Sequence, residues 1–367
     1  MTINGKTYDN KNILVIAEIG TSHNGELSKA KELIDAAAES GADCVKTQIF
    51  YADEILHPKT GTVPLPSGNV PLFDVFKKLE APIDFYREIK NYTESKGLLF
   101  LASPFGQRSA AELYSLNPAF VKIASPELNY VQLLKTVSEW KIPVLLSGGV
   151  SKLSDIETAL SFFEKKDVCL LHCITSYPAP ESEYNLRVIQ NISNIFGVSA
   201  GVSDHSLNPV LIPVLSAACG ASVIEKHFCL SHDGGGLDDK IALPPRDFGL
   251  MVSAVRRAQN MDAGHIIQGL KSDMGKTAVD AALGTGIKQL APSEEANYNR
   301  TNRSVHALCD IQEGEEITAH NTAVLRTEKI LRPGLEPVFW ERIIGRRTSL
   351  FIPSGEGVRL EDLTIIR

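Results

Sequence analysis

The sequence lacks any apolar run close to the length of about 18 residues that a membrane-spanning helix needs. Its first residues, MTINGKTYDNKN, are too polar for a secretory signal peptide. Basic residues are not in excess, because 37 Lys and Arg stand against 44 Asp and Glu, for a net charge of -7. We therefore expect a cytoplasmic protein that binds neither nucleic acid nor an anionic membrane.

A CxxC spacing is also absent, so the cysteines do not indicate a zinc or redox site. Most of the six cysteines lie in apolar segments; they are Cys44, Cys169, Cys173, Cys219, Cys229 and Cys309. In a cytoplasmic protein such residues are normally reduced. We expect reduced, buried thiols.

Eight short apolar runs alternate with longer amphipathic segments over the first two thirds of the chain. The runs cover residues 13–19, 44–50, 98–103, 120–125, 143–148, 168–173, 197–204 and 222–228. The segments between them, such as SKAKELIDAAAES, carry apolar residues at the i, i+3, i+4 and i+7 spacing of a helix. Eight strands, each followed by a helix, predict an α/β fold of the (β/α)8 or TIM-barrel class. A doubly wound open sheet is the alternative, but no GxGxxG sequence follows the first strand.

The pattern changes after residue 260, which indicates three regions. Residues 1–260 form the predicted barrel, preceded by a hairpin with an Asn4-Gly5 turn. Residues 261–300 are rich in glycine and polar residues and are interpreted as a linker. Residues 301–367 contain short β-like segments and predict a small β-rich domain. So small a domain buries little core, so we expect it to pack on something larger.

Polar side chains stand at the carboxyl ends of all eight predicted strands, where the active site of this barrel class lies. They are Glu18, Lys46, Gln48, Ser103, Lys122, Ser125, Glu127, Ser147, His172, Thr175, Tyr177, Asp204, His205, Glu225, Lys226 and His227. A single charged residue at a strand end could simply be exposed to solvent at the edge of the barrel. Polar residues at every end indicate a shared pocket.

Two histidines, His205 and His227, end the adjacent seventh and eighth strands. Neighbouring strands lie about 4.8 Å apart, so two imidazoles there can reach one divalent cation. Such a pair suits Mn²⁺, Fe²⁺, Zn²⁺ or Mg²⁺ acting as a Lewis acid on a substrate oxygen. Two hydrogen-bonded histidines without a metal are the alternative.

Two lysines, Lys46 and Lys122, lie inside otherwise apolar strands. A buried lysine needs a counter-ion. Pocket carboxylates, an anionic substrate with phosphate or carboxylate groups, and a Schiff base with a carbonyl substrate are all compatible with this position. The residues alone leave the three open.

Several stretches in chain order resemble the sialic acid synthase family, the phosphoenolpyruvate-condensing synthases of nonulosonic acids. They are IAEIGTSHNG, AAAESGADCVKTQIF, FVKIASPELN, LLHCITSYPAP, GVSDHS, IEKHF and GLDDKIALPP. The resemblance extends to the branch of spore-coat polysaccharide biosynthesis proteins. The C-terminal segments DIQEGEEIT and NTAVLR are similar to the family's antifreeze-like (SAF) domain.

The resemblance implies that phosphoenolpyruvate (PEP) condenses with an open-chain N-acyl hexosamine, with C–O cleavage of PEP, to give a nine-carbon α-keto acid and phosphate. It implies a PEP site built from Lys46, Ser103, Lys122, Ser125, Ser147, Thr175 and Ser203. It implies sugar contacts from Glu18, Gln48, Tyr177, Asp238 and an arginine, catalytic roles for Glu18, Glu127 and Asp204, and a cation on His205 and His227. Mn²⁺ is the expected cation, with Mg²⁺ or Co²⁺ as alternatives.

The chain departs from the family pattern at three places. Thr175 replaces a frequent asparagine near PEP, and GLDD replaces the usual GPDH or GADH. The family's antifreeze-like domain supplies an arginine, within an Arg-Pro-Gly sequence, to the partner's site in a domain-swapped homodimer. Counting from Asn321, that arginine is Arg326, whereas the only Arg-Pro-Gly begins at Arg332. We predict Arg326 and keep Arg332 as the alternative.

Two other functions are compatible with parts of the sequence. One is a related PEP-dependent synthase of 3-deoxy sugar acids that takes a phosphorylated aldose. The other is a non-catalytic barrel with a carbohydrate- or ice-binding C-terminal domain. The presence of both pocket lysines, both histidines and Glu18 argues against the second.

Overall fold

The computed structural model describes residues 1–65 and 68–364 and contains an eight-stranded parallel barrel. Residues 66–67 and the last three residues of the predicted C-terminal domain, 365–367, lie outside the described residues. The barrel strands, β1 to β8, are Leu14–Gly20, Cys44–Ile49, Leu99–Pro104, Val121–Ile123, Val144–Ser147, Val168–Cys173, Ser199–Asp204 and Val223–His227. Each strand coincides with one of the eight predicted runs, so the predicted barrel is confirmed.

The strands pair in parallel in the order β3-β2-β1-β8-β7-β6-β5-β4. Strands β3 and β4 lie side by side without ladder hydrogen bonds in the described part of the chain, so the barrel is nearly closed. One main helix follows each strand; these helices, α1 to α8, are Leu27–Glu39, Ile83–Ser95, Gln107–Ser115, Val131–Ser138, Leu153–Leu160, Arg187–Phe196, Leu211–Ala218 and Pro245–Ala258. Short helices Ala52–Ile55 and Leu72–Lys78 and a hairpin of Thr62–Leu65 with Gly68–Pro71 lie between β2 and α2.

The barrel interior is filled by apolar side chains from alternate strand positions. Leu14, Ile16, Cys44, Leu101, Leu145, Cys169, Leu171 and Val223 form this inner layer. The predicted hairpin is confirmed: Thr2–Ile3 pairs with Lys6–Thr7, and Asn4 and Gly5 have the positive φ of 48° and 78° that this turn requires. Its Ile3 packs against the inner layer, so the interior is a packed core and not a channel.

The predicted linker is more ordered than its composition suggests. It contains helices α9 (Ala263–Met274) and α10 (Lys276–Leu283) and a short 3₁₀ helix at Pro292–Asn297. Helix α9 begins with an N-cap at Asp262, which accepts hydrogen bonds from two backbone N–H groups. The apolar face of α9, with Ile266 and Leu270, packs into the main core. These helices were not predicted because polar residues and three glycines interrupt the helical spacing of the apolar residues.

The C-terminal region is a small domain built around strands β9 (Arg303–Ala307) and β10 (Thr322–Arg326), which pair antiparallel. Its short helices are Pro337–Phe339, Trp340–Ile343 and Leu360–Asp362. The domain packs on its own barrel: the Asn129 amide donates to the Arg303 carbonyl at 2.9 Å and accepts from the Arg303 N–H at 3.1 Å. The expected docking on a larger body is therefore observed.

All six cysteines are free, and five are buried as expected. Cys309 is exposed, which corrects the expectation of buried thiols at that position. It follows the buried end of β9 at the start of a surface turn. Across residues 1–65 and 68–364, none of the helices has the length and apolar character to span a membrane.

Candidate active site

A first ion pair lies where β1 and β2 end. Lys46 Nζ lies 2.6 Å from Glu18 Oε2, and Gln48 Nε2 donates to Glu18 Oε1 at 2.8 Å. Burial would lower the pKa of Lys46, but the Glu18 and Glu225 carboxylates outweigh it and raise the pKa. Strand β1 therefore ends on a carboxylate because two donors on β2 point at it.

A second ion pair joins Lys122, on β4, to Glu225, on β8, and lies next to the first, because Glu225 Oε1 is also 3.7 Å from Lys46 Nζ. Lys122 Nζ donates to both oxygens of Glu225, at 2.9 and 3.0 Å, and Ser203 Oγ donates to Oε1 at 2.9 Å. Burial and the neighbouring Lys46 lower the pKa of Lys122, although Glu225 opposes them. The pocket carboxylates are thus the counter-ions of both lysines in the structure.

Serine hydroxyls border these lysines, and two of them have no protein partner. Ser103 Oγ and Ser147 Oγ are buried, and neither atom has a hydrogen-bond partner within the described part of the chain. Ser125 Oγ accepts from the Gly149 N–H at 3.0 Å. Buried hydroxyls without partners are costly, so the two free ones are suited to a polar ligand.

His205 and His227 face each other with ring centroids 5.4 Å apart. His205 Nδ1 contacts the Ile174 carbonyl at 2.8 Å, which leaves Nε2 for another partner. Burial and the nearby His205 lower the pKa of His227 well below its usual value, so this ring is neutral. Burial also opposes protonation of His205, but the Cys173 sulfur and the Ile174 carbonyl outweigh it and raise its pKa to about 9.

The two imidazoles can supply two of the ligands that a divalent cation needs. Within the described residues, no three His, Cys, Asp or Glu side chains form a complete metal cluster. A cation held by this pair would take its remaining ligands from water and substrate, as open catalytic sites do. It would displace a proton from His205.

Tyr177 and Asp238 stand at the mouth of the pocket. The Tyr177 ring stacks on His205 at 4.3 Å between centroids, and half of its surface is exposed. Asp238 Oδ2 lies 3.7 Å from His227 Nδ1. Burial raises the pKa of Asp238 to about 6, although the nearby His205 opposes the rise. Both side chains thus offer polar atoms at the entrance to the pocket.

Asp204 lies outside the pocket, on the outer side of the barrel wall. It accepts from Lys226 Nζ at 2.7 Å and from Tyr184 OH at 2.6 Å. Side chains alternate along a strand, so Ser203 and His205 point inward and Asp204 points outward. The structure assigns Asp204 to a buried polar network that anchors the loop after β7, and it does not support the predicted catalytic role.

Glu127 binds two arginines of the C-terminal domain. Its Oε1 accepts from Arg303 Nη2 at 2.9 Å and from Arg326 Nη2 at 2.7 Å. Oε2 is buried without a partner among the described atoms. Arg326 therefore reaches the pocket side of its own barrel, where a partner's barrel was expected.

Arg332, the alternative, lies within the C-terminal domain. Its Nη2 is 2.5 Å from Asp362 Oδ2, and its Nε donates to the Gly357 carbonyl at 3.0 Å. Both contacts close the loops of that domain. The structure thus brings Arg326, and not Arg332, to the barrel.

The sequence assigned no role to two carboxylates near the pocket: Glu225 was listed only among the polar strand ends, and Glu294 was not listed. Glu225 holds Lys122, and its place on β8 two residues before His227 was the available signal, because both must face the same side. Glu294, in the predicted linker, accepts the Thr175 N–H at 2.7 Å. No sequence signal distinguished it from exposed glutamates nearby.

The chain matches known proteins over almost its whole length. Residues 33–266 match the model of the NeuB family and residues 302–364 that of the SAF domain. The chain belongs to the NeuB family. It is 32% identical to the spore coat polysaccharide biosynthesis protein SpsE of Bacillus subtilis over 96% of this chain and 94% of SpsE. It is 31% identical to the N,N'-diacetyllegionaminic acid synthase of Campylobacter jejuni over 92% of this chain and 96% of that protein.

A solved structure supports the membership. The crystal structure of B. subtilis SpsE matches this NeuB-family chain with a TM-score of 0.83 and covers 100% of this chain and 99% of SpsE. The protein is therefore an enzyme of the sialic acid synthase type, with a TIM barrel and a SAF domain.

Proposed function

We propose that the protein condenses PEP with an open-chain N-acyl hexosamine to give a nine-carbon, sialic-acid-like α-keto acid and phosphate. The supporting observation is one polar pocket that combines two lysines, two buried hydroxyls without partners and two adjacent imidazoles. The hexosamine is N-acetylmannosamine or a 2,4-diacetamido relative.

In this proposal PEP binds beside the two ion pairs, which are connected because Glu225 Oε1 lies 3.7 Å from Lys46 Nζ. The Lys46 and Lys122 ammonium groups neutralise its phosphate and carboxylate, which charge-assisted hydrogen bonds bind strongly. Hydroxyl groups supply further donors; they belong to Ser103, Ser125, Ser147, Thr175 and Ser203. The C3 carbon of PEP attacks the aldehyde, water adds at C2, and the C2–O bond breaks as phosphate leaves.

The sugar lies above PEP, at the mouth of the pocket. Tyr177, Asp238 and Gln48 contact its hydroxyls, and Arg326 reaches its N-acyl group. Glu18 is the group that moves a proton, because it faces the pocket and its two donors hold it in place. Glu127 is fixed by two arginines and instead orients Arg326.

A divalent cation, Mn²⁺ by preference, completes the proposal. Held by His205 and His227, it would polarise the aldehyde oxygen. Substitution His227→Ala should abolish turnover and weaken Mn²⁺ binding measured by calorimetry, while the melting temperature stays near the wild-type value. Substitution of the exposed His265, on helix α9, is the matched control. Full activity of the enzyme after EDTA treatment would contradict this part of the proposal.

We also propose a cytoplasmic homodimer that exchanges its C-terminal domains, so that the Glu127–Arg326 contact forms between two chains. An isologous exchange would repeat the contact twice. Mixed Arg326→Ala and His227→Ala subunits would then regain activity after confirmed subunit exchange, because one site of the heterodimer carries both intact groups. Mixtures as inactive as their parents would place Arg326 in its own subunit's site.

The reaction is tested with PEP and a panel of aldehydes in the presence of Mn²⁺. One aldehyde of the panel, N-acetylmannosamine or a 2,4-diacetamido hexose, should release phosphate and form an α-keto acid in equal amounts. Release of phosphate only with a phosphorylated aldose would instead identify a 3-deoxy sugar acid synthase. Binding of sugars without phosphate release would identify a carbohydrate-binding protein.

A further inference from the structure

The segment between α10 and β9 holds a buried carboxylate that the proposed reaction does not use. Glu294, in the 3₁₀ helix at Pro292–Asn297, is fully buried. Its Oε1 accepts the Val150 N–H and the Thr175 N–H, both at 2.7 Å, and Oε2 accepts the Ala291 N–H at 3.2 Å. One carboxylate oxygen thus joins the loops that follow β5 and β6.

Val150, one of these two donors, has an unusual backbone conformation. Its φ is +42°, a left-handed value that β-branched residues avoid. The N–H of Val150 is held by Glu294, and its carbonyl accepts from Asn302 Nδ2 at 3.1 Å. Such strain persists only where surrounding groups fix the backbone. Both fixing groups come from the segment between α10 and β9.

The turn that is held in this way shapes the proposed PEP site. Gly149 N–H donates to Ser125 Oγ at 3.0 Å. A Cβ atom on Gly149 would lie 2.2 Å from Thr175 Oγ1 and 2.9 Å from Ser125 Oγ, so both hydroxyls pack against the Gly149 backbone. The position of the Gly149–Val150 peptide therefore limits where the Ser125 and Thr175 hydroxyls can lie.

We propose that Glu294 and Asn302 are positioning residues that hold the Gly149–Val150 turn in its strained form and so fix the PEP-binding hydroxyls. The inference rests on the proposed function, because it assigns Ser125 and Thr175 to PEP. Asn302 directly precedes Arg303, which binds Glu127 at 2.9 Å. The same segment therefore links the C-terminal domain to the PEP site.

Substitution Glu294→Ala should raise the KM for PEP about ten-fold. This is the effect expected when one displaced hydroxyl loses its hydrogen bond to the charged PEP. The KM for the hexosamine should stay unchanged, which a general loss of folding would not produce. Substitution Glu295→Ala is the matched control, because Glu295 is the exposed neighbour and should leave both constants unchanged. Asn302→Ala should raise the KM for PEP in the same direction and provides a second test if Glu294→Ala folds poorly.

The geometric basis is tested by rescue. Glycine adopts a positive φ without strain, so adding Val150→Gly to Glu294→Ala should recover much of the lost PEP affinity. An unchanged or lower KM for PEP in both Glu294→Ala and Asn302→Ala would overturn the inference. Equal increases in both KM values without rescue by Val150→Gly would also overturn it.

Calorimetric titration with PEP alone separates this inference from the proposed function. Wild-type protein that binds PEP, with both variants binding it as tightly, would refute the positioning role and leave the proposed reaction standing. Wild-type protein that binds no PEP would refute both. Wild-type binding with about ten-fold weaker binding in the variants would support the inference even before the hexosamine is identified.

Discussion

At the scale of single residues, the pocket is a set of paired charges with unpaired hydroxyls around them. Lys46 and Lys122 each bind a buried carboxylate, so the lysines are compensated before any substrate enters. An anionic substrate would therefore share these ammonium groups with Glu18 and Glu225. Schiff-base chemistry requires a neutral amine, and we predict instead that both lysines bind the substrate as ammonium groups.

Substitution Lys122→Met is the residue-scale test. It should raise the KM for PEP about 100-fold, because it removes a charged donor from a buried site. It should also lower the melting temperature, since the buried Glu225 loses its closest cation and keeps only Ser203 and the more distant Lys46. Adding Glu225→Gln should restore stability but not PEP affinity.

Lys240→Met is the control, because the Lys240 ion pair is exposed. Treatment of the wild-type enzyme with borohydride and PEP or pyruvate should leave Lys122 unmodified in peptide mass spectra. A covalent adduct on Lys122 or Lys46 would contradict ammonium binding.

At the scale of elements, the alternation of side chains along each strand decides which residues meet. The sequence predicted all eight strands because their apolar runs are separated by clear helical periodicity. That alternation places Asp204 outside the pocket, and it puts Glu225, which was predicted at a strand end without a role, on the same side as Ser203, His205 and His227. Applying the two-residue period at the strand ends would have corrected both.

Other parts of the site were not predictable in this way. Glu294 lies in a glycine-rich segment without periodicity, and only its burial against Val150 and Thr175 distinguishes it from Glu295. The contact of Arg303 with Glu127 joins positions 176 residues apart in the chain. Neither local propensity nor spacing encodes such a contact.

The end of strand β10 gives the element-scale prediction. Arg326→Ala should raise the KM for the hexosamine at least about ten-fold, because this guanidinium lies at the barrel mouth and stays charged. Arg332→Ala is the matched control. It should lower the melting temperature, because the ion pair with Asp362 is lost, and it should leave the KM for the hexosamine unchanged. If Arg332→Ala instead raised the hexosamine KM and Arg326→Ala did not, the assignment would be reversed.

At the scale of the whole molecule, stability should fall as the pH is lowered from 7 to 5. Burial lowers the pKa of His23 to about 4, of His172 to about 3 and of His306 to about 4. These rings titrate near 6.5 when unfolded, so the unfolded state binds more protons between pH 6.5 and 4. Their stabilising contribution is complete above about pH 6.5 and is lost below it. The raised pKa values of Asp238 and His205 offset part of the loss.

Urea unfolding at a series of pH values measures this effect. We expect the free energy of unfolding to decrease on the order of 3 kcal/mol between pH 7 and pH 5. A free energy that stays constant or increases over that range would contradict the prediction.

The pocket, the SAF domain and the segment between them together support one reaction, and the fate of one oxygen atom tests it most directly. PEP labelled with ¹⁸O at the oxygen that bridges C2 and phosphorus is incubated with the enzyme, Mn²⁺ and the hexosamine that releases phosphate. We predict that the released phosphate carries the label, because the C2–O bond breaks, and that one nine-carbon keto acid forms per phosphate. Unlabelled phosphate, or labelled phosphate without a keto acid product, would contradict it.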